Sequence, residues 1–385
     1  MKKKIYLDYA ATTPVDPKVQ RAMIPYLTRR FGNTMSLHSL GQEAKVALEQ
    51  SRSEIASMLG VRSPQIIFTS SATESNNLAL KGVALARRSL GEGGHIIISS
   101  IEHECVLESA VWLEKQGFEI TRLKVDKFGF IDLQELESAI RKDTILVSVI
   151  HANNETGVIQ PIAQIGKICR EKGVYLHSDA SQSFGKIPID VNKTQVDLLT
   201  ASSHKIYGPK GAALLYVREG IKLEPFLHGG GHEEGLRSST VNVPAIVGFA
   251  KAAKICKEDM KKELGRLSLL REKFIDGVLN KIPESKLNGS KDKCLPNIVN
   301  FTFKGVEGET LVIKLDLMGI FVSTGSACSL TTMEPSHVLL AMGLNPRDAR
   351  SSIRFSLGRF MTEKDIDYVL RVLPEAVREL RTKRY

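Results

Sequence analysis

One cysteine of the chain, Cys328, lies in the run STGSACSL, residues 323–330, among small and hydroxyl-bearing residues. Such a run is typical of a loop and not of a packed helix or strand. A free cysteine is most often a small, buried and inert side chain, whereas a loop thiol that loses its proton is a nucleophile. The segment by itself leaves both a structural thiol and a reactive thiol open.

A lysine at the end of an apolar run is the second candidate. In LLTASSHKIYGPKG the predicted strand delivers Lys205 to its carboxyl end, and Gly208 and Pro209 then turn the chain away. Desolvation there would lower the pKa of Lys205 and make its amine a nucleophile that can form a Schiff base. Taken by itself, this lysine could equally be a surface charge.

Polar residues also follow other apolar runs. IIFTSSATESNNLAL reads as a strand, a turn of small residues and a helix that opens with Ser70, Ser71, Ala72 and Thr73. The backbone N–H groups and hydroxyls of this opening would suit a phosphate, and an ordinary serine or threonine cap is the alternative. VYLHSDASQSFG places Asp179 and Gln182 after a strand, and HANNETG does the same for Asn153 and Asn154. A phosphate site, a nucleophilic lysine and an aspartate for a pyridinium nitrogen together suggest pyridoxal phosphate.

A common scaffold must bring these segments together. Short β-type runs such as TILVSVI, VYLHSDA and VDLLTAS alternate with helical segments such as IAQIGKICREKG. This alternation predicts an α/β fold with a doubly wound, mostly parallel sheet and helices on both faces. Ligands of such folds bind at the carboxyl ends of the strands, where the candidate residues fall.

The length of 385 residues exceeds the roughly 250–300 at which one core stops growing. A long charged helical stretch follows Pro244, and new apolar runs, including NIVNFTF and SSIRFSLG, follow that stretch. We therefore expect a large domain over residues 21–259 and a smaller α/β domain over 260–385 that carries the cysteine loop. Residues 1–20 are expected to pack on the smaller domain.

Composition narrows the class of protein. No apolar run approaches the ~18 residues that span a membrane, so we expect a cytoplasmic protein with no membrane partner. The five cysteines are widely spaced and include no CxxC pair, which argues against a disulfide framework or structural zinc. The net charge of +10 would suit nucleic acid, but the basic residues are dispersed and no nucleic-acid motif accompanies them. No direct nucleic-acid binding is expected.

The ordered motifs resemble those of cysteine desulfurases, pyridoxal-phosphate enzymes of the class V aminotransferase group. The resemblance covers essentially the whole chain, through YLDYAATTP, SATES, EH, NNE, HSDASQ, SSHKIYGPKG, GGGHEEGLRSST, GSAC and SSIRFSLGRF. It implies a fold type I homodimer that converts L-cysteine to L-alanine. The sulfur would pass to an enzyme cysteine as a persulfide, and then to acceptors such as an iron–sulfur scaffold protein, for cluster assembly or RNA thiolation.

The resemblance also implies roles for individual residues at the cofactor. Lys205 would hold pyridoxal 5'-phosphate covalently, Asp179 would face its pyridine nitrogen, and His103 would stack on its ring. Asn154 and Gln182 would contact the oxygen side of the ring. The phosphate would be held by Ala72, Thr73, Ser202 and His204, and by Thr240 of the partner subunit.

At the substrate, the resemblance implies that Arg354 and Asn33 bind the carboxylate and that Cys328 accepts the sulfur. Cys328 could also ligate an iron–sulfur cluster transiently, and no structural metal is expected. Ser71 and Ser239 stand where the family usually has glycine near the phosphate. A Cβ restricts the backbone there, so the local geometry is open.

Two alternatives to a cysteine desulfurase remain open. A selenocysteine lyase or an aminotransferase of the same fold would share the cofactor residues, and the thiol in GSAC favours desulfuration over both. A non-catalytic, basic RNA-binding or adaptor protein is the second alternative. The presence together of Lys205, Asp179, His103 and Cys328 argues against it.

Overall fold

The computed structural model describes residues 4–325 and 334–382, so Cys328 lies outside the described residues. In chain order the helices α1 to α12 span Pro17–Thr28, Ser39–Leu59, Ala72–Ser89, Glu104–Lys115, Leu133–Ala139, Ile162–Lys172, Val191–Thr194, Val243–Lys281, Gly308–Leu317, His337–Ala341, Pro346–Arg350 and Glu363–Thr382. The strands β1 to β12 span Ile5–Tyr6, Ile66–Thr69, His95–Ser99, Glu119–Leu123, Thr144–Ser148, Tyr175–Asp179, Leu198–Ser202, Ala213–Val217, Ser285–Asn288, Ile298–Phe303, Ile320–Phe321 and Ser352–Ser356.

The central sheet has seven strands in the order β2-β8-β7-β6-β5-β3-β4. Strands β4, β3, β5, β6 and β7 are parallel, whereas β8 is antiparallel to both β7 and β2. Successive side chains of one strand enter different cores, as Leu198 and Leu199 of β7 do. Helices thus cover both faces, and the predicted α/β fold with a mostly parallel sheet is confirmed.

Local sequence signals set the ends of the helices. Helix α1 begins at Pro17, a residue suited to a first helical turn, after Asp16 accepts a hydrogen bond from the backbone N–H of Lys18 at 2.7 Å. Helix α2 ends at Gly60, whose φ of 70° is a left-handed conformation that glycine adopts without steric cost. These signals set where α1 begins and where α2 ends.

A smaller sheet, antiparallel and ordered β12-β10-β9, has its own aromatic core. Phe274 of α8 contacts Phe355 and Phe301 edge to face, with ring centroids 5.1 and 5.9 Å apart. The same helix packs Phe249 into the core beside the central sheet. The domain boundary that we expect after residue 259 therefore falls inside α8 and stays a prediction.

The N-terminal segment contributes a strand away from the central sheet. Strand β1 pairs in parallel with β11, with Ile5 opposite Ile320 and Tyr6 opposite Phe321. The following residues cross to the central sheet, because Thr13 donates from its backbone N–H to the carbonyl of His204 at 3.0 Å. Among the described residues, no helix is both long and apolar enough to cross a membrane.

Candidate active site

The carboxyl ends of the parallel strands converge on one edge of the central sheet, as ligand sites of this architecture require. Lys205 ends a short 3₁₀ turn that directly follows β7. Its Nζ donates hydrogen bonds to the carbonyl oxygens of Ala10 at 2.6 Å and Ala11 at 2.7 Å. The amine is therefore held at the sheet edge against the N-terminal segment.

Asp179 is the last residue of β6 and is buried. One carboxylate oxygen accepts from the backbone N–H of Ser181 at 2.8 Å, and the other accepts from Nδ2 of Asn76 at 2.7 Å. Asn76 is buried on α3, the helix that follows β2, whereas Asp179 ends β6. Both oxygens of Asp179 are thus fixed, and the carboxylate can hold a proton on a neighbouring ring nitrogen.

His103 caps the N terminus of α4, after β3. Its Nδ1 accepts from the backbone N–H of Cys105 at 3.2 Å, so the neutral ring carries its proton on Nε2. Burial lowers the pKa of His103 below its ordinary value. A neutral, oriented imidazole is suited to stacking on another flat ring.

The N terminus of α3 lies at the same sheet edge. Ser71 is its N-cap, with Oγ accepting from the backbone N–H of Glu74 at 3.1 Å. The φ of Ser71, −160°, is extended backbone open to any residue, so the serine in place of glycine is tolerated here. Ala72 and Thr73 belong to the first turn, whose N–H groups have no partner within the helix and can bind an anion.

Ser202 and His204 flank the start of the turn that carries Lys205. Ser202 is buried at the end of β7, and Nδ1 of His204 lies 3.1 Å from Oγ1 of Thr12. Burial lowers the pKa of His204 to about 4, so near neutral pH the ring offers hydrogen bonds and no charge. Thr240 and Ser239 are exposed. Ser239 does not adopt the positive φ that would favour glycine.

Two amides face the same region. The buried Oδ1 of Asn154 has no hydrogen-bond partner among the described residues. Gln182 is buried and donates from Nε2 to the carbonyl of Ala10 at 2.9 Å. A buried polar atom without a partner costs about 1–3 kcal/mol, so the Asn154 oxygen fits a site completed by a bound polar group.

Arg354 reaches this region from β12 of the smaller sheet. Its Nη2 donates to Oδ1 of Asp8 at 2.8 Å and its Nη1 to the carbonyl of Asn154 at 3.0 Å. Its Nε is buried and has no partner in the described part of the chain. Asn33 is exposed, and its Oδ1 accepts from the backbone N–H of Met35 at 2.9 Å.

The segment that contains Cys328 is flanked by described residues. Ser323 and Arg354 exchange backbone hydrogen bonds of 2.7 and 3.3 Å. Ser336 donates from Oγ to Oε2 of Glu155 at 2.6 Å, and a Cβ on Gly325 would lie 2.8 Å from that same oxygen. Both flanks therefore meet at Glu155, a fully buried side chain whose pKa is raised by burial.

Comparison with known proteins defines the family. A sequence model of Aminotransferase class-V matches residues 5–369, and the chain belongs to this family of pyridoxal-phosphate enzymes. Cysteine desulfurase IscS of Dictyoglomus turgidum is 50% identical over 382 residues, which cover 99% of this chain and 96% of the relative. Cysteine desulfurase IscS 1 of Archaeoglobus fulgidus is 51% identical over 377 residues, 98% of each chain. These two relatives within the family are cysteine desulfurases.

Solved structures agree with these sequence relatives. A NifS-like protein superposes with a TM-score of 0.92 at 39% identity, covering 98% of this chain and 100% of the other. The structure of SspA in complex with cysteine superposes with a TM-score of 0.81 at 39% identity, covering 94% of this chain and 100% of the other. Most of the chain therefore shares its fold with these proteins.

The residues at the sheet edge fit pyridoxal phosphate. An amine, a fixed carboxylate, a neutral imidazole and an open helix N terminus match its carbonyl, ring nitrogen, ring face and phosphate. The unpaired Oδ1 of Asn154 is explained if a polar group of the cofactor completes its hydrogen bonding. The donor set thus supports the cofactor that the family uses.

Sequence reasoning missed three residues that contact the residues of this site: Asp8, Asn76 and Glu155. They stand inside or next to motifs that the resemblance uses, LDYAATTP, SATES with its continuation, and NNE. Their residue types were visible, but their partners lie far away in the chain. Only the three-dimensional contacts reveal what these residues do.

Proposed function

We propose that the protein is a cysteine desulfurase that converts L-cysteine to L-alanine and transfers the sulfur to Cys328. The backbone pairing of Ser323 with Arg354 carries this proposal. Through it, the segment with Cys328 begins beside a guanidinium that can bind a substrate carboxylate. That guanidinium contacts Asn154 at the edge where Lys205 and Asp179 lie.

Substrate binding falls to Arg354, with Asn33 as the second proposed contact. A guanidinium binds a carboxylate through two parallel N–H bonds, and the Nε of Arg354 is free of partners among the described residues. Asp8 and the carbonyl of Asn154 hold the plane of the guanidinium. The substrate carboxylate would thus meet an oriented fork.

At the cofactor, Lys205 would supply the amine for the covalent attachment and, once freed, the base that takes the proton from Cα of the substrate. When bound, the cofactor supplies an electron sink for the charge left at that carbon. Asp179 would keep the pyridine nitrogen protonated, and His103 would pack on the ring face. Asn154 and Gln182 would hold the oxygen side of the ring, and the phosphate would be held by Ala72, Thr73, Ser202 and His204.

In the sulfur-transfer step the thiolate of Cys328 attacks the sulfur of the substrate. A sulfur–sulfur bond forms and the bond between that sulfur and Cβ breaks. The electron pair stays with the carbon fragment, which takes up protons and leaves as L-alanine. Cys328 retains the sulfur as a persulfide, so atoms and electrons balance without an external oxidant.

We further propose that acceptor proteins, such as an iron–sulfur scaffold, take the sulfur in the cytoplasm for cluster assembly or RNA thiolation. The names of the curated relatives support the reaction and leave the acceptor open. Transient ligation of a cluster by Cys328 stays a prediction, because that residue lies outside the described ranges.

A homodimer is part of this proposal. Leu27, Phe31, Met35 and Leu37 are exposed within one short stretch, with Leu37 93% accessible. Met35 lines the same surface depression as Val241, which directly follows Thr240. A second copy would cover this apolar surface and place Thr240 at the partner's phosphate, as a symmetric contact does.

The test is to incubate the purified protein with L-cysteine and a thiol reductant and to measure alanine and sulfide together. Equal amounts of both are expected, because each turnover releases one alanine and one reducible sulfur. Lys205→Ala should produce neither. A 2-oxo acid in place of alanine would identify an aminotransferase, and a parent protein that takes up no cofactor would support the non-catalytic alternative.

A further inference from the structure

Lys186 is joined to the proposed cofactor lysine by a chain of hydrogen bonds. It lies in the turn after β6, and its Nζ donates to Oε1 of Gln182 at 3.2 Å. Nε2 of Gln182 donates to the carbonyl of Ala10 at 2.9 Å. The same carbonyl accepts from Nζ of Lys205 at 2.6 Å. The two lysines also line one narrow cleft between the central sheet and the smaller core.

These hydrogen bonds determine which way the Gln182 amide points its oxygen Oε1 and its nitrogen Nε2. The oxygen and nitrogen ends of an amide have nearly the same shape, so only hydrogen-bond partners distinguish them. Ala10 offers a carbonyl, which can only accept, and therefore selects Nε2. Lys186 offers only donors while its amine is charged and therefore selects Oε1. Both contacts specify the same orientation and leave one N–H of Nε2 for a ligand.

Lys186 is not a surface charge that serves only to keep the protein soluble, because its amine is buried. Burial lowers the pKa of Lys186 to about 7, and the charge of nearby Lys205 acts in the same direction. The surroundings thus oppose the charged form that a surface lysine would keep. An amine retains N–H donors in both forms, so its contact with Oε1 persists on either side of that value.

Building on the pyridoxal-phosphate site proposed above, we infer that Lys186 is a positioning residue that holds the Gln182 amide with Nε2 toward the cofactor. With the amide reversed, Oε1 would face the phenolic oxygen of the cofactor, and two acceptors would oppose each other. Lys186 thus strengthens cofactor binding through Gln182 and makes no cofactor contact of its own.

The test is a double-mutant cycle on cofactor affinity. Apo forms of the parent, Lys186→Met, Gln182→Leu and the double variant are titrated with pyridoxal phosphate, and dissociation constants are read from absorbance. We expect each single change to weaken binding about tenfold. The double variant should bind no more weakly than Gln182→Leu, because without the amide there is nothing left to orient.

Lys193→Met is the matched control, since Lys193 is 85% exposed in α7 and should leave the affinity unchanged. Circular dichroism verifies folding, and Lys186→Gln replaces Lys186→Met if the latter does not fold. Additive losses in the cycle, or parental affinity in both Lys186 variants, would overturn the inference. Cofactor titration does not depend on turnover, so failure of the desulfurase proposal would appear separately as an absence of alanine and sulfide.

Discussion

The guanidinium of Arg354 makes contacts with two other parts of the chain. It is 3% exposed, it pairs with Asp8, and it donates to the carbonyl of Asn154. A lysine would keep the charge but offers a single ammonium in place of a planar fork. The position therefore requires the geometry of arginine as well as its charge.

For Arg354→Lys we expect kcat/KM for L-cysteine to fall about tenfold or more, because a lysine cannot form the two parallel hydrogen bonds that we propose for the substrate carboxylate. Cofactor content should remain near that of the parent. Steady-state kinetics and cofactor absorbance measure the two effects. Arg371→Lys, at an exposed position, is the control. Parental efficiency of Arg354→Lys would contradict the assigned role.

Cys328 separates cofactor chemistry from sulfur transfer. Cys328→Ala should bind pyridoxal phosphate and L-cysteine normally, since we assign those steps to Lys205, Asp179 and Arg354, and should release no alanine. In the parent, alkylation after brief exposure to L-cysteine should trap an extra sulfur on Cys328. Mass mapping checks this, with Cys294→Ala as the active control. Rapid alanine release by Cys328→Ala would favour a structural thiol.

At the scale of elements, Glu102 joins the ends of two strands. Its Oε1 accepts from the backbone N–H of Ile150 at 2.7 Å, and its Oε2 has no partner among the described residues. Burial raises the pKa of Glu102 to about 8. The folded state therefore keeps a proton that the unfolded state has lost, and stability falls as pH rises from about 4.5 to 8.

We expect Glu102→Gln to remove this dependence. The parent should lose up to about 1.4 kcal/mol of unfolding free energy per pH unit across that window relative to the variant, because the amide stays neutral. Denaturant unfolding at several pH values between 5 and 8 measures the difference. Glu108→Gln, at an exposed site of α4, should follow the parent. Parallel curves for parent and Glu102→Gln would refute the assignment.

The elements were more predictable than their contacts. Alternating apolar runs predicted the parallel sheet, and strand ends predicted where Lys205 and Asp179 would lie, because both follow from local patterns. The bond from Asn76 to Asp179 spans 103 positions, and that from Arg354 to Asp8 spans 346. Such pairings depend on how elements pack, and no local pattern encodes them.

At the scale of the whole molecule, the exposed apolar stretch near Leu37 is the surface that we assign to a second copy. Leu37→Glu should dissociate the proposed dimer at micromolar concentration, because it would bury a charge without a partner. Cofactor affinity should fall too if, as we propose, Thr240 of the partner holds the phosphate. Sedimentation velocity tests the assembly. Leu269→Glu, at a position 69% exposed on α8, should remain dimeric; a dimeric Leu37→Glu would place the interface elsewhere.

Helix α8 packs against the core beside the central sheet at Phe249 and against the aromatic core of the smaller sheet at Phe274. It is one helix of 39 residues, about 58 Å long at 1.5 Å per residue. It therefore fixes both the distance between these two cores and their relative rotation about the helix axis. Inserting a single residue between Phe249 and Phe274 would rotate one core against the other by about 100°. Arg354 would then leave Asn154, although no residue of the site had changed. Tolerated differences in length should therefore fall outside the middle of this helix.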